Sequence, residues 1–186
     1  IVVDNGSTEL PSAVCKGFDF VRLTAESTPG PGHARNHGAR LANAPILAFI
    51  DCDCVARPGW ILGISSHFIS HPATDVIGGD VHIACVSAAR PTSIEAYESI
   101  YGYRMKMYVE RDHYTATCNM AVRSETFHRV GDFGGIHIAE DVDWGRRATA
   151  LGVRIDYVPG VVVETPARDS FGQLRRKWDR HIGHDY

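Results

Sequence analysis

Short apolar runs bounded by turn residues alternate along the chain with stretches whose apolar positions recur every three or four residues. The first pattern predicts buried strands and the second helices, and their alternation predicts an α/β fold with helices on both faces of a sheet. Residues 1–4, 18–23 and 46–50 read as strands, and 32–43, carrying Ala34, Ala39 and Leu41, reads as the helix between the last two. A strand, helix, strand order implies parallel pairing. Pro58 opens a further helix with Trp60, Ile61, Ile64 and Phe68, and 76–86 follows as a strand. Residues 92–111 form a long, mostly polar helix, 115–123 is extended, and Ser124 caps a short helix. Gly131-Asp132-Phe133-Gly134-Gly135 is a flexible loop leading into a helix that opens at Glu140 and reaches Leu151. Two strands, 153–158 and 161–163, are separated by Pro159-Gly160, and a basic helix over 171–184 closes the chain. The second half therefore mixes strand directions.

Composition narrows the function classes. With 186 residues, 44% of them hydrophobic and 22% charged, and no repeat or linker, the chain reads as one domain. A formal net charge of −3 argues against nucleic acid as the main partner, because phosphate neutralisation needs a surplus of Lys and Arg. A small anionic ligand needs only a local basic site. Five cysteines, with Cys52 and Cys54 too close in sequence for a disulfide framework, point to a reducing compartment. No apolar run approaches the ~20 residues that span a bilayer, so the chain reads as soluble.

Candidate chemistry starts at Asp51 and Asp53, which follow the apolar run Ile46-Leu47-Ala48-Phe49-Ile50. If the strand pattern continues, both carboxylates share a face at a strand's C-terminal end, where α/β sheets bind ligands and where a hard divalent cation finds oxygen donors. Cys52 and Cys54 offer a rival zinc site, but zinc sites use C-x(2–4)-C spacing and a second matching pair; small buried thiols on the other face are the better account. Asp4 ends the first strand, either as an ordinary turn residue before Asn5-Gly6 or as an acceptor for a base or ribose. Glu140 and Asp141 open a helix, where acids oppose the dipole, yet with Asp143 they also cluster just after the glycine loop.

Five stretches together resemble the family-two glycosyltransferases of the GT-A fold. They are Val2-Val3-Asp4-Asn5-Gly6-Ser7-Thr8, Gly32-His33-Ala34-Arg35-Asn36-His37-Gly38, Ala48-Phe49-Ile50-Asp51-Cys52-Asp53, Asn119-Met120-Ala121-Val122-Arg123, and Glu140-Asp141-Val142-Asp143 followed by Arg147, Gly152 and Pro159. The resemblance implies a Rossmann-like, mixed, mostly parallel sheet, with 1–85 as the nucleotide-sugar-binding half and 86–186 as the acceptor-binding and catalytic half. It implies an inverting, hexosyltransferase-like transfer from a UDP- or GDP-sugar to an acceptor hydroxyl, with Mn2+ or Mg2+. Asp4 is then expected at the base, Arg35 near the base or diphosphate, Asp51 at the ribose and Asp53 on the metal. Asp141 is expected as general base and Glu140 as an acceptor-binding residue. A surface-helix role remains the alternative for Arg35.

Two departures from the family pattern bear on the site. Gln173-Leu174-Arg175-Arg176-Lys177-Trp178 is close to the Q-x-x-R-W element of processive members, but Lys177 separates Arg176 from Trp178, so no polymerase is implied. With Arg180 and His181 this basic helix either lines the diphosphate site, Arg176 foremost, or lies on an anionic membrane surface, or is a solvated face. After Val161-Val162-Val163, where many relatives place a metal-binding histidine, this chain has Glu164, an oxygen ligand of suitable hardness. The resemblance also implies an absent first strand that would lie between strands 1–4 and 46–50, and a cytoplasmic enzyme, at the membrane face if the basic helix binds lipid. A nucleotidyltransferase of similar fold and a non-catalytic nucleotide-sugar-binding relative are the competing functions. The former normally carries a Gly-rich, Lys/Arg-containing signature near the first strand.

Overall fold

The structure, a computed structural model, describes residues 1–87 and 89–184, with side chains described through Asp179, so that Arg180 and His181 lie outside the described side chains. Two sheets organise it. Strand β1 (Val2–Asp4) pairs in parallel with β2 (Leu23–Ala25), after a short helix α1 (Ser12–Cys15). Helix α2 (Pro31–Leu41) leads to β3 (Ile46–Ile50), the first strand of the larger sheet. There follow β4 (Val55–Ala56), α3 (Trp60–Ser70), β5 (Val76–Ala84), α4 (Ser93–Tyr101), α5 (Met105–Glu110), β6 (Asn119–Arg123), α6 (Ser124–Val130), α7 (Glu140–Ala150), β7 (Ile155–Pro166) and α8 (Phe171–His184). The five-stranded sheet runs β3-β6-β5-β7-β4, with β5 and β7 parallel and the other neighbours antiparallel. The fold is mixed α/β, as expected, and its sheet order interleaves the two halves of the chain.

Alternation along the central strands builds two cores. Val76, Met120 and Val122 face one side, where they meet Phe127, Phe133, Trp144 and Ala148. Their neighbours Ile77 and Ala121 face the other, against Trp60, Ile64, Phe68 and Met105. Each fully buried large side chain contributes roughly 1.5–3 kcal/mol, so these faces fix the position of α6 and α7 on one side and α3 and α5 on the other.

Several sequence expectations shift. Ladder pairing begins at Leu23, opposite Val2, and not over 18–23; Phe18 and Phe20 stay exposed. The polar stretch 92–111 is two helices, broken around Gly102 and started by a Thr92/Glu95 capping box. Ser124 is the first helical residue of α6 and makes no cap; Arg123 holds the N-cap position. The runs 153–158 and 161–163 are one strand, β7, with a bulge where Gly79 faces Val158 but Asp80 faces Val162. Asn119 fills the irregularity: its amide donates to the carbonyls of Asp80 (2.7 Å) and Val161 (2.8 Å), and its oxygen accepts from Trp60 Nε1 (2.8 Å).

The glycine-rich loop is pinned, contrary to its reading as a flexible segment. Asn36, buried in α2, exchanges two hydrogen bonds with the Phe133 main chain (2.9 and 2.8 Å), while Trp144 and Arg147 donate to the carbonyls of Gly131 and Asp132. Glycine is needed there for close approach: a Cβ on Gly32 would lie 2.2 Å from the Gly134 carbonyl oxygen. Among the described residues β1 pairs with β2 alone and β3 with β6 alone. Each therefore presents one edge without a ladder partner among the described residues.

Candidate functional site

The carboxylates after β3 sit in a turn. The Cys54 N–H donates to the Asp51 carbonyl (3.0 Å), so strand alternation stops at Ile50 and does not carry to Asp53. Asp51 is half-buried and Asp53 is exposed, its carboxylate accepting, among the described residues, from the Cys54 thiol (3.7 Å) alone. Cys52 is exposed too, which overturns its reading as a buried thiol, because a turn has no inner face to hide it. Cys54 is half-buried, and interaction with Cys118 holds the Cys54 thiol below and the Cys118 thiol above the usual range.

Arg35, in the second turn of α2, joins this turn to the start of α7. Its guanidinium donates to Asp51 Oδ1 at 2.7 Å and to Glu140 Oε1 at 2.8 Å, and only 14% of the side chain is exposed. Burial works against the charge, but the two carboxylates outweigh it and raise the pKa of Arg35. Three elements distant in sequence are thereby tied at one point.

Asp141 lies beside that bridge. Burial first, and the neighbouring Glu140 charge second, push its carboxyl up to about 6, although the Val142 N–H (2.9 Å) and Arg35 pull the other way. A helix N-terminus favours a carboxylate. Here desolvation wins over that field, which is the environment that makes a carboxylate a better base. Asp143 is spent differently, on the surface pair with Arg147 (3.0 Å).

Arg35, Asp51, Glu140 and Asp141 line one cavity of about 660 Å³. Its other walls are Tyr103, Tyr108, Tyr114, Thr117, Arg168 and Lys177 among others, with the Tyr108 and Tyr114 rings stacked at 5.0 Å. Burial raises both tyrosine pKa values, so their hydroxyls stay protonated.

The remaining expected residues lie apart from this lining. Asp4 is buried at the end of β1, where Oδ2 accepts from the Gly6 N–H (3.3 Å) and Oδ1 has no partner among the described residues. Such an orphaned oxygen is costly unless a ligand satisfies it. Asn5 does more than turn the chain: it donates to the Glu26 and Thr28 carbonyls (2.7 and 2.8 Å) and accepts from Gly30 (2.9 Å), fixing the approach to α2. Glu164, on β7, binds Arg57 Nε at 2.8 Å. Arg176 is exposed, whereas its neighbour Lys177 is buried and reaches the cavity. Sequence reasoning passed over Lys177 and Arg168, although Leu174 and Trp178, four apart, mark the inward face of α8 and place Arg176 opposite it. Among the described residues no three His, Cys, Asp or Glu side chains are grouped to hold a metal without help from a ligand.

Known proteins resemble the chain in both sequence and fold. The chain is 32% identical over 184 residues to glycosyltransferase AglE of Haloferax volcanii, covering 95% of this chain and 59% of that protein. The mannosyltransferase PcManGT from Pyrobaculum calidifontis, solved with GDP-Man and Mn2+, superposes with a TM-score of 0.67 at 20% identity, over 98% of this chain and 52% of that one. Residues 1–349 of S. aureus TarS, solved with UDP-GlcNAc, give a TM-score of 0.64 at 17% identity, over 91% of this chain and 49% of that one. The chain thus spans about three-fifths of the curated relative and about half of each solved chain. The model of Glycosyl transferase family 2 matches residues 1–131, a stretch that carries Asp4, Arg35, Asp51 and Asp53, and on that match the chain belongs to glycosyl transferase family 2.

Proposed function

We propose that this chain is the catalytic domain of an inverting glycosyltransferase that moves a sugar from a UDP- or GDP-linked donor to an acceptor hydroxyl. The carrying observation is that Asp141, with its raised pKa, lines the same cavity as Asp51, and that Arg35 ties the two sides together. In the proposed step the acceptor oxygen attacks the anomeric carbon as Asp141 takes its proton. The new C–O bond forms, the bond to the diphosphate breaks, and the electron pair leaves with the diphosphate. Glu140 helps seat the acceptor and holds Arg35, which keeps Asp51 oriented toward the donor. The unpartnered Asp4 Oδ1 suits a hydrogen bond from the nucleotide base.

Asp51 and Asp53 fit a divalent cation chemically: both offer hard oxygen donors on one turn, and among the described residues no cation pairs with Asp53. Mg2+ and Mn2+ sites in phosphate chemistry use one or two carboxylates with phosphate oxygens and waters, so a third protein ligand is not required. Glu164 would join only by giving up Arg57. A cation bound there supplies charge neutralisation for the diphosphate. The relatives' ligands support the donor class: PcManGT was solved with GDP-Man and Mn2+, TarS with UDP-GlcNAc.

No described helix is long and apolar enough to cross a membrane. Exposed Arg175, Arg176 and Phe171 on α8 suit peripheral contact with an anionic surface at the cytoplasmic face, and that contact is part of the proposal. The test of function is thermal unfolding with a panel of UDP- and GDP-sugars in Mn2+ or Mg2+, followed by transfer assays. A true donor at a hundred times its Kd stabilises by about 2.7 kcal/mol. Pyrophosphate release from a nucleoside triphosphate would instead support the nucleotidyltransferase reading, and donor binding with no transfer or hydrolysis the non-catalytic one.

A further inference from the structure

The cavity lining includes two cations, Arg168 and Lys177, beside its acids, and a carboxylate outside the lining holds them in place. Glu98, on α4, has a side chain with no solvent exposure. Its Oε1 accepts from Lys177 Nζ at 3.1 Å and its Oε2 from the Arg168 backbone N–H at 2.7 Å; the Arg168 guanidinium lies 4.0 Å from Oε1. Lys177, whose side chain is 9% exposed, also sits over the Tyr103 ring at 5.0 Å. Lys177 and Arg168 line the cavity, whereas Glu98 does not.

Neither bland reading of Glu98 suffices. A solvated helix face would leave it exposed, and a surface ion pair would not need three elements to converge on it. A buried carboxylate persists only when paired and hydrogen-bonded. One carboxylate against two cations leaves a net positive charge directed at the cavity.

We propose that Glu98 is a positioning residue for sugar transfer: it fixes Lys177 and Arg168 as the cationic wall that receives the departing diphosphate. The inference rests on the reading of the cavity as a transfer site. Negative charge grows on the diphosphate as its bond to the sugar breaks, and cations fixed beforehand stabilise that charge without reorganising during the reaction. The hydrogen bond to the Arg168 main chain fixes the chain between β7 and α8, so one side chain places both cations. Groups facing Lys177 are Glu98 on α4, Tyr103 after it and Arg168 after β7, with Asp51, Glu140 and Asp141 in the same cavity. Removing the Glu98 charge leaves the Lys177 ammonium without its carboxylate partner and frees both cations from the wall.

The experiment measures transfer from GDP-mannose and UDP-glucose with Mn2+, at neutral to alkaline pH, for wild type, E98Q, E98D and K177M, with thermal unfolding of each. The expected result is a folded E98Q whose kcat falls about tenfold or more, with a smaller change in donor KM. E98D restores most of the wild-type kcat, and K177M is slow. A folded E98Q with wild-type kcat overturns the proposal. If E98Q does not unfold cooperatively, the neutral pair E98Q/K177Q decides: slow transfer supports the proposal and wild-type kcat overturns it. If wild type transfers from no donor on a UDP- or GDP-sugar panel, the proposed function itself fails and this inference falls with it.

Discussion

The two acidic motifs of the cavity, alike in sequence, are placed in opposite physical settings. Asp51-Cys52-Asp53 forms a turn just past β3 that leaves Asp53 exposed, whereas Glu140-Asp141 opens α7 with both acids half-buried. Exposure keeps the Asp53 carboxylate hydrated and free to meet a cation and phosphate. Recession drives the Asp141 carboxyl up to about 6, making it a stronger base that is still ionised at neutral pH. Arg35 spans the two, pairing with Asp51 on one side and Glu140 on the other, and among the described residues Asp141 and Asp53 have no ion-pair partner. A pair of carboxylates is therefore not one kind of evidence: what each can do follows from how much water its fold leaves around it.

The largest effect that would sharpen this contrast is expected at Asp141. Asp141→Asn should lower kcat by roughly two to four orders of magnitude while donor affinity stays close to wild type. Steady-state kinetics with calorimetric donor titration checks both. Retention of more than about a tenth of the wild-type kcat would remove Asp141 as base.

The second effect is on stability and its pH dependence. The Asp141 pKa lies at about 6 in the fold against an ordinary 3.8, so the native state holds the proton more tightly than the unfolded state. Its contribution to stability is thus fully present below about 4 and is lost as pH rises through about 6. Asp141→Asn should remove that loss and stabilise the protein at pH 7 by on the order of 1–3 kcal/mol. Over the same window wild-type kcat should rise with pH and level off above about 6, as the base ionises. An Asn variant that unfolds at the wild-type temperature at both pH 5 and pH 7 would show that Asp141 is not held in a desolvated setting.

How much of this was legible in the sequence follows from where the signals are local. The apolar run 46–50 and the acids after it lie within one stretch, and both β3 and the helix start at Glu140 are where pattern puts them. Residues 18–23 misled because their aromatics resemble a buried strand, yet Phe20 is 86% exposed and pairing starts only at Leu23. The glycine loop misled because glycine signals both freedom and close approach, and only the fold shows Gly32 packed on Gly134. Glu98 and Lys177 are 79 positions apart, so no local pattern couples them. Lys177 itself was within reach, since the Leu174–Trp178 spacing fixes which side of α8 faces inward.

A third, intermediate effect probes the exposed motif. Asp53→Asn, or chelation of divalent cations, should weaken donor binding by about tenfold, because the diphosphate charge then lacks the cation that neutralises it. The fold should be untouched, as Asp53 is solvated and makes no structural contact beyond its own turn. Equal donor affinity with and without chelator would break the comparison, leaving Asp53 a turn residue only.

The smallest effect is expected at Glu164, and it decides how far the exposed motif extends. On β7 its carboxylate faces Arg57, with 35% of the Glu164 and 46% of the Arg57 side chain exposed. A pair so solvated is worth about 0–1 kcal/mol, so Glu164→Gln should shift stability by no more than that. If Arg57 is the lasting partner, donor affinity in Mn2+ should equal wild type, since the amide still accepts from the guanidinium. If the carboxylate instead moves to the cation, affinity should fall as it does in Asp53→Asn, and combining the two changes should cost less than their sum. Calorimetric titration of the donor into wild type, both single variants and the double variant separates these outcomes. A full, additive loss in Glu164→Gln would show that Glu164 meets the donor independently of the Asp51-Cys52-Asp53 turn.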